Sequence, residues 1–270
     1  MILSRLERFP PLRPLVSPIR EWRARRHFAG QYAAFHGVFT SRAEAERSAP
    51  SGRPLGSASA ELVAGYSTLL DEQLARRGLD SYEYPVLFWL STFIEQGDVR
   101  IVADFGGNLG THYYGFARYL EYPPDLEWHI VDVPPIAAEG SKLANARAAA
   151  GLHFATTIRD VPASDVLIAS GVFQYLDDPL SVIADAGMPA HVLVNRLPLG
   201  ARPSFWTLQN GGEAYYAQQI QSRGDFLAGM TRLGYARVDE WDDRVDRCEL
   251  PLNPDHSVSV YSGFYFRRGA

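Results

Sequence analysis

The spacing of apolar positions changes near residue 99 and separates two kinds of element. Before that point, Leu62, Tyr66, Leu69, Leu70 and Leu74 recur at helical spacing until Gly78. Pro85 suits the first turn of a further helix carrying Val86, Trp89, Leu90, Phe93 and Ile94, closed by Gly97. Ser41 and Glu44 have capping-box spacing for a short helix. Pro50, Gly52, Pro54 and Gly56 mark residues 50–59 as a loop. The pattern predicts a helical region over 28–98, preceded by an arm over 1–27.

Beyond residue 99, short apolar runs alternate with helical stretches. Strands are predicted at 99–105, 128–133, 153–157, 166–170, 192–195, 235–241 and 258–266. Helices are predicted at 111–120 and 136–149, with another marked by Phe226, Leu227, Met230 and Leu233. This alternation implies an α/β fold: a Rossmann-like, doubly wound, mostly parallel seven-stranded sheet with an antiparallel last strand. Such sheets bind ligands at the carboxyl ends of their strands. Residues 99–270 are therefore expected to form a ligand-binding domain, with 199–222 as an insertion on its substrate side. That insertion carries Trp206, Gln209, Asn210, Gly211, Gly212, Tyr215 and Tyr216, which suit either a substrate wall or a packed cover.

The most informative stretch runs from Ile101 through Asp104, Gly106, Gly107 and Asn108 to Gly110. Glycines let the chain turn sharply from strand to helix and approach a ligand closely. The dinucleotide spacing G-x-G-x-x-G fails in every register, which disfavours a nicotinamide or flavin enzyme. A carboxylate at position 104 suits a cationic ligand. Asp132 ends the second strand, where a doubly wound fold places the acid that grips ribose hydroxyls.

These residues resemble the class I S-adenosylmethionine-dependent methyltransferases: Asp104, Gly106 and Gly110 match the family's glycine turn, with Asn108 in place of its middle glycine. Asn tolerates left-handed backbone, so the turn can survive the exchange. The chain is also similar to a family of bacterial methyltransferases often encoded near surface-polysaccharide genes. That similarity rests on Phe35, Gly37, Ser41 and Glu44, on Gln174 to Pro179, on Asn195 to Pro198, and on Gly234, Tyr235, Glu240 and Trp241. The resemblance implies S-adenosyl-L-methionine as cofactor. It implies cofactor binding at Asp104, Gly106, Gly107, Asn108, Gly110, Asp132, Val133, Thr157, Ile158, Ser170 and Gln174. It also implies methylation, on oxygen, of a small molecule or glycan. The alternative is a catalytically inactive cofactor-binding scaffold or regulator.

The loop after the fourth strand is expected to face the transferred methyl group. Related O-methyltransferases carry a histidine base where this chain has Gln174, and an amide takes no proton at neutral pH. Gln174, His112 and Arg196 are the catalytic candidates. His112, at a helix start, is expected to have its pKa lowered by the helix dipole and so to accept a proton. Arg196 suits an anionic substrate.

Composition narrows the rest. The 270 residues carry a net charge of −5, against a nucleic-acid partner. Residues 1–27 alone hold seven Arg and two Glu, with Ile2, Leu3, Leu6 and Phe9 among them, which suits peripheral contact with an anionic membrane. Pro10, Pro11, Pro14 and Pro18 argue against a long helix in that arm. The single cysteine, Cys248, excludes an intramolecular disulfide, and seven scattered histidines show no metal-ligand spacing, so no metal site is expected. A cytoplasmic location follows from the charged start and the lack of long apolar runs.

Overall fold

Val102, Ala103, Leu167, Ile168, Leu193 and Val194 are fully buried, as strands covered on both faces require. The computed structural model of the chain describes residues 13–56 and 60–269. Its main sheet comprises β2 (Ile101–Phe105), β3 (Glu127–Val131), β4 (Leu152–Ala155), β5 (Val166–Ser170), β6 (His191–Leu197), β10 (Tyr235–Asp243) and β11 (Tyr261–Arg268). The order is β4-β3-β2-β5-β6-β11-β10. β4, β3, β2, β5 and β6 are parallel, and β11 runs antiparallel to β6 and to β10. The doubly wound sheet with a reversed last strand is therefore as the sequence predicts.

Helices cover both faces. One face packs α7 (Pro179–Asp185) and α8 (Arg223–Arg232) through Val182, Ile183, Phe226 and Met230. The other packs α4 (Tyr84–Gln96), α5 (Thr111–Phe116) and α6 (Pro134–Ala146) around fully buried Trp128. The local signals hold: Pro85 lies in the first turn of α4, and Gly97 closes it in the left-handed region at φ 74°. Ser41 Oγ accepts from the Glu44 N–H at the start of α2 (Arg42–Arg47).

The structure departs from the sequence pattern at three places. Phe35–Phe39 forms a strand, β1, inside the region read as helical; it pairs antiparallel with β8 (Phe205–Asn210). The 199–222 segment contributes β7 (Leu199–Gly200), β8 and β9 (Tyr215–Ser222) to a second sheet of order β1-β8-β9-β7. No local pattern announces a five-residue strand whose partner lies about 170 positions away. The third departure is α1 (Arg13–Gly30), a helix of 18 residues in the second half of the proline-bearing arm. Pro14 falls in its first turn, where an N–H has no intrahelical partner, and Pro18 removes one bond only. Its end docks through Phe28, which is buried against Leu208 and Tyr215 of the second sheet. The remainder of the arm, with Ile2, Leu3, Leu6 and Phe9, lies outside the described residues.

α3 (Ala60–Ala75) packs Val63 and Leu70 on Leu109 and Ile136. Helix α3 and the second sheet thus cover the carboxyl ends of β2, β3 and β5, where the main sheet presents its loops.

Candidate active site

The turn after β2 is built by glycines that its own packing demands. Gly106 has φ 74°, and a Cβ there would stand 2.6 Å from Val172 Cγ2 in the turn after β5. A Cβ on Gly107 would stand 2.6 Å from the Asp104 carboxyl group. Gly110 precedes α5 at φ 97°, and Asn108 takes the left-handed region at φ 56°, as its side chain allows. Asn108 Oδ1 also accepts from the Leu109 N–H at 2.8 Å, holding that conformation.

Asp132 joins this turn from the neighbouring strand. Its Oδ2 accepts from the Asn108 N–H at 3.0 Å and its Oδ1 from the Val133 N–H at 2.8 Å. No cation pairs with it among the described residues. Burial pushes its pKa up, against the pull of the Val133 and Asn108 N–H groups; Asp104 adds to the rise. The result is a half-buried carboxylate with spare lone pairs beside the glycine turn.

Asp104 takes a different place from the one expected. It is fully buried, with Trp128 Nε1 donating to it at 3.2 Å and His112 Nδ1 at 3.0 Å. Packed under Gly107, it supports the turn from beneath.

His112 is a correction as well. Burial alone would lower its pKa, but Asp104 and Glu83 on either side overcome this and raise it well above its ordinary value. Nε2 stands 3.1 Å from Glu83 Oε2. The dipole of a six-residue helix is small beside two adjacent carboxylates. His112 thus sits between two carboxylates that hold its pKa up, the opposite of the lowering expected from a helix start.

The turn after β5 carries Gln174 on a 3-10 turn, Phe173–Tyr175. Gln174 is only 4% exposed, and its Oε1 has no hydrogen-bond partner. Leaving such an acceptor unpaired costs roughly 1–3 kcal/mol. Ser170 Oγ accepts from Asn195 Nδ2, which also reaches the Tyr82 carbonyl. Arg196, at φ 56°, pairs with Asp246 at 2.7 Å and lies 4.5 Å from the centre of the Tyr82 ring. Its charge is thus already matched. Thr157 caps the short turn Ile158–Asp160 after β4, and Ile158 is buried in the core.

Tyrosines form the roof. Tyr175 donates to Gln209 Oε1 at 2.7 Å and its ring lies 5.9 Å from that of Tyr216. Tyr216 hydrogen-bonds Tyr66 of α3, and burial raises the pKa of all three phenols. The site thus collects the glycine turn, Asp132, Ser170, Gln174 and Arg196. Sequence reasoning did not single out Tyr66, Glu83 or Tyr175. The first looked like an ordinary core position, and Glu83 had only its place before Tyr84 and Pro85 to mark it.

The sheet order with its reversed last strand is that of a doubly wound, Rossmann-like α/β fold. Among solved structures, the chain is similar to the Burkholderia thailandensis 1,6-didemethyltoxoflavin-N1-methyltransferase with bound 1,6-didemethyltoxoflavin and S-adenosylhomocysteine. That match has 15% identity and a TM-score of 0.48, covering 78% of this chain and 86% of that one. Magnesium protoporphyrin IX methyltransferase from Synechocystis PCC 6803, with bound S-adenosylmethionine, matches at 12% identity and TM-score 0.47, covering 79% and 87%. An S-adenosylmethionine-dependent methyltransferase from Clostridium acetobutylicum ATCC 824 matches at 10% identity and TM-score 0.47, covering 77% and 99%. These likenesses concern the fold. No protein-family model matches the sequence, and no curated protein matches it.

Proposed function

We propose that this protein is an S-adenosylmethionine-dependent methyltransferase acting on a small acceptor. One observation carries the reading: a cation-free, half-buried carboxylate, Asp132, is held by the Asn108 N–H at the lip of the glycine turn. Its spare lone pairs fit the two adjacent hydroxyls of a ribose. Gln174 Oε1, buried and unpaired, offers a second acceptor for a donor-rich ligand. Both fit the cofactor, and with them we assign Gly106, Gly107, Gly110, Val133 and Ser170 to its binding. Asp104 packs beneath that surface, under Gly107.

When bound, the cofactor supplies a methyl group already activated on a sulfonium. What is left for the chain's side chains is alignment and charge. His112 lies between the Asp104 and Glu83 carboxylates, which hold its pKa up. We assign as acceptor an oxygen of a small molecule or glycan, with Tyr66, Tyr175 and Tyr216 as its wall. A second reading, a cofactor-binding scaffold without turnover, rests on Gln174, an amide that takes no proton at neutral pH.

Calorimetric titration of the whole chain with S-adenosylhomocysteine and with NAD tests the cofactor. Binding of the first and not the second supports the reading, and the reverse ends it. Turnover with phenolic, carboxylic and uronic acid acceptors then separates enzyme from scaffold. We place the enzyme in the cytoplasm, with the basic arm against anionic lipid. Loss of co-sedimentation with anionic vesicles at low salt on deleting residues 1–27 tests the arm.

A further inference from the structure

His129 and His153 lie 24 positions apart in sequence, yet they are register partners on the adjacent parallel strands β3 and β4. Side chains in register on neighbouring parallel strands share a face, with backbones roughly 4.8 Å apart. The two imidazole rings are stacked, with centroids 4.8 Å apart. Glu127, two residues before His129, shares that face, and its Oε2 accepts from His129 Nε2 at 3.0 Å. One ligand atom from each of the three residues lies within 4.8 Å of the other two.

We propose that Glu127, His129 and His153 form a binding site for a divalent transition-metal cation of the zinc type. Two imidazoles and a carboxylate are the donors that such a cation takes, and hard cations such as Mg2+ prefer an all-oxygen set. Tetrahedral coordination at about 2.0–2.1 Å would bring donor atoms to roughly 3.4 Å from one another. The Glu127 side chain is half exposed and His153 is exposed, so both can close by that margin without disturbing the core. The fourth position faces solvent and would hold water. All three residues sit at the amino-terminal or middle positions of their strands, away from the glycine turn and Asp132. The site is therefore independent of the methyltransferase reading. A cation there ties the edge strand β4 to β3.

The untagged full chain is titrated with Co2+, followed by its visible absorption, then competed with Zn2+, with Mg2+ as the control. One saturable equivalent is expected, with the bands of a nitrogen–oxygen tetrahedral site, displaced by Zn2+ and unaffected by Mg2+. The melting temperature should rise with Zn2+. His153→Ala, at an exposed position, should weaken binding by no less than the roughly tenfold that loss of an outer-shell partner costs, with circular dichroism unchanged. Glu127→Gln should weaken it as well. Absence of saturable Co2+ binding, or binding that His153→Ala leaves unchanged, overturns the proposal.

Discussion

His112 holds its Nδ1 3.0 Å from Asp104 Oδ2, with both side chains buried beneath the glycine turn. Removing one partner of a buried ion pair typically costs about 3–5 kcal/mol, since the other is left uncompensated. His112→Ala should be destabilised by about that amount at neutral pH, measured by urea unfolding. The pH trend has a definite sign. The folded pKa is raised above the ordinary value of 6.5, so the stabilisation is fully present below 6.5 and fades as pH rises through the folded value. The wild type should lose stability towards alkaline pH along a limb that His112→Ala lacks.

Asp132→Ala should weaken S-adenosylhomocysteine binding by about 1.5–3 kcal/mol, the range for hydrogen bonds to a charged group. Because burial raises the pKa of Asp132, affinity in the wild type should already decline above the usual carboxylate range as pH falls. Calorimetry across acidic pH reads both effects. An unchanged dissociation constant in Asp132→Ala would remove the ribose assignment.

Gln174 sets stability against function. Gln174→Met keeps volume and chain shape while deleting the unpaired acceptor, so the ligand-free protein should gain roughly 1 kcal/mol or more. Turnover should fall in the same variant, and the wild-type pH profile should show no limb belonging to residue 174. A variant that is both more stable and fully active would mean that this acceptor serves no ligand.

Phe28 tests the docking of α1. Its side chain is 2% exposed against Leu208 and Tyr215, and Asn210 Nδ2 donates to its carbonyl at 2.7 Å. Phe28→Ala should cost about 3–5 kcal/mol. Trp22, on the same helix but 56% exposed, should tolerate alanine within about 0.5 kcal/mol. Equal effects at the two positions would contradict the docked helix.

Local chemistry carried much of this structure into the sequence. Short apolar runs, the proline and glycine bounds of α4, the Ser41 cap and the left-handed Asn108 all depend on neighbours within a few residues. The seven strands and the pairing of the glycine turn with Asp132 were legible for that reason. What the sequence could not carry were properties set by residues distant in the chain. β1 is a strand because β8 lies beside it, and α1 is held by a core that the second sheet supplies. The raised pKa of His112 follows from Asp104 and Glu83, the latter 29 positions away, and not from its own helix. His129 and His153 share no motif spacing, and only the register of β3 with β4 sets their rings together. Pattern reports which residues a backbone period exposes or buries; protonation, pairing and ligand geometry depend on through-space distances of a few ångströms, which the tertiary fold alone decides.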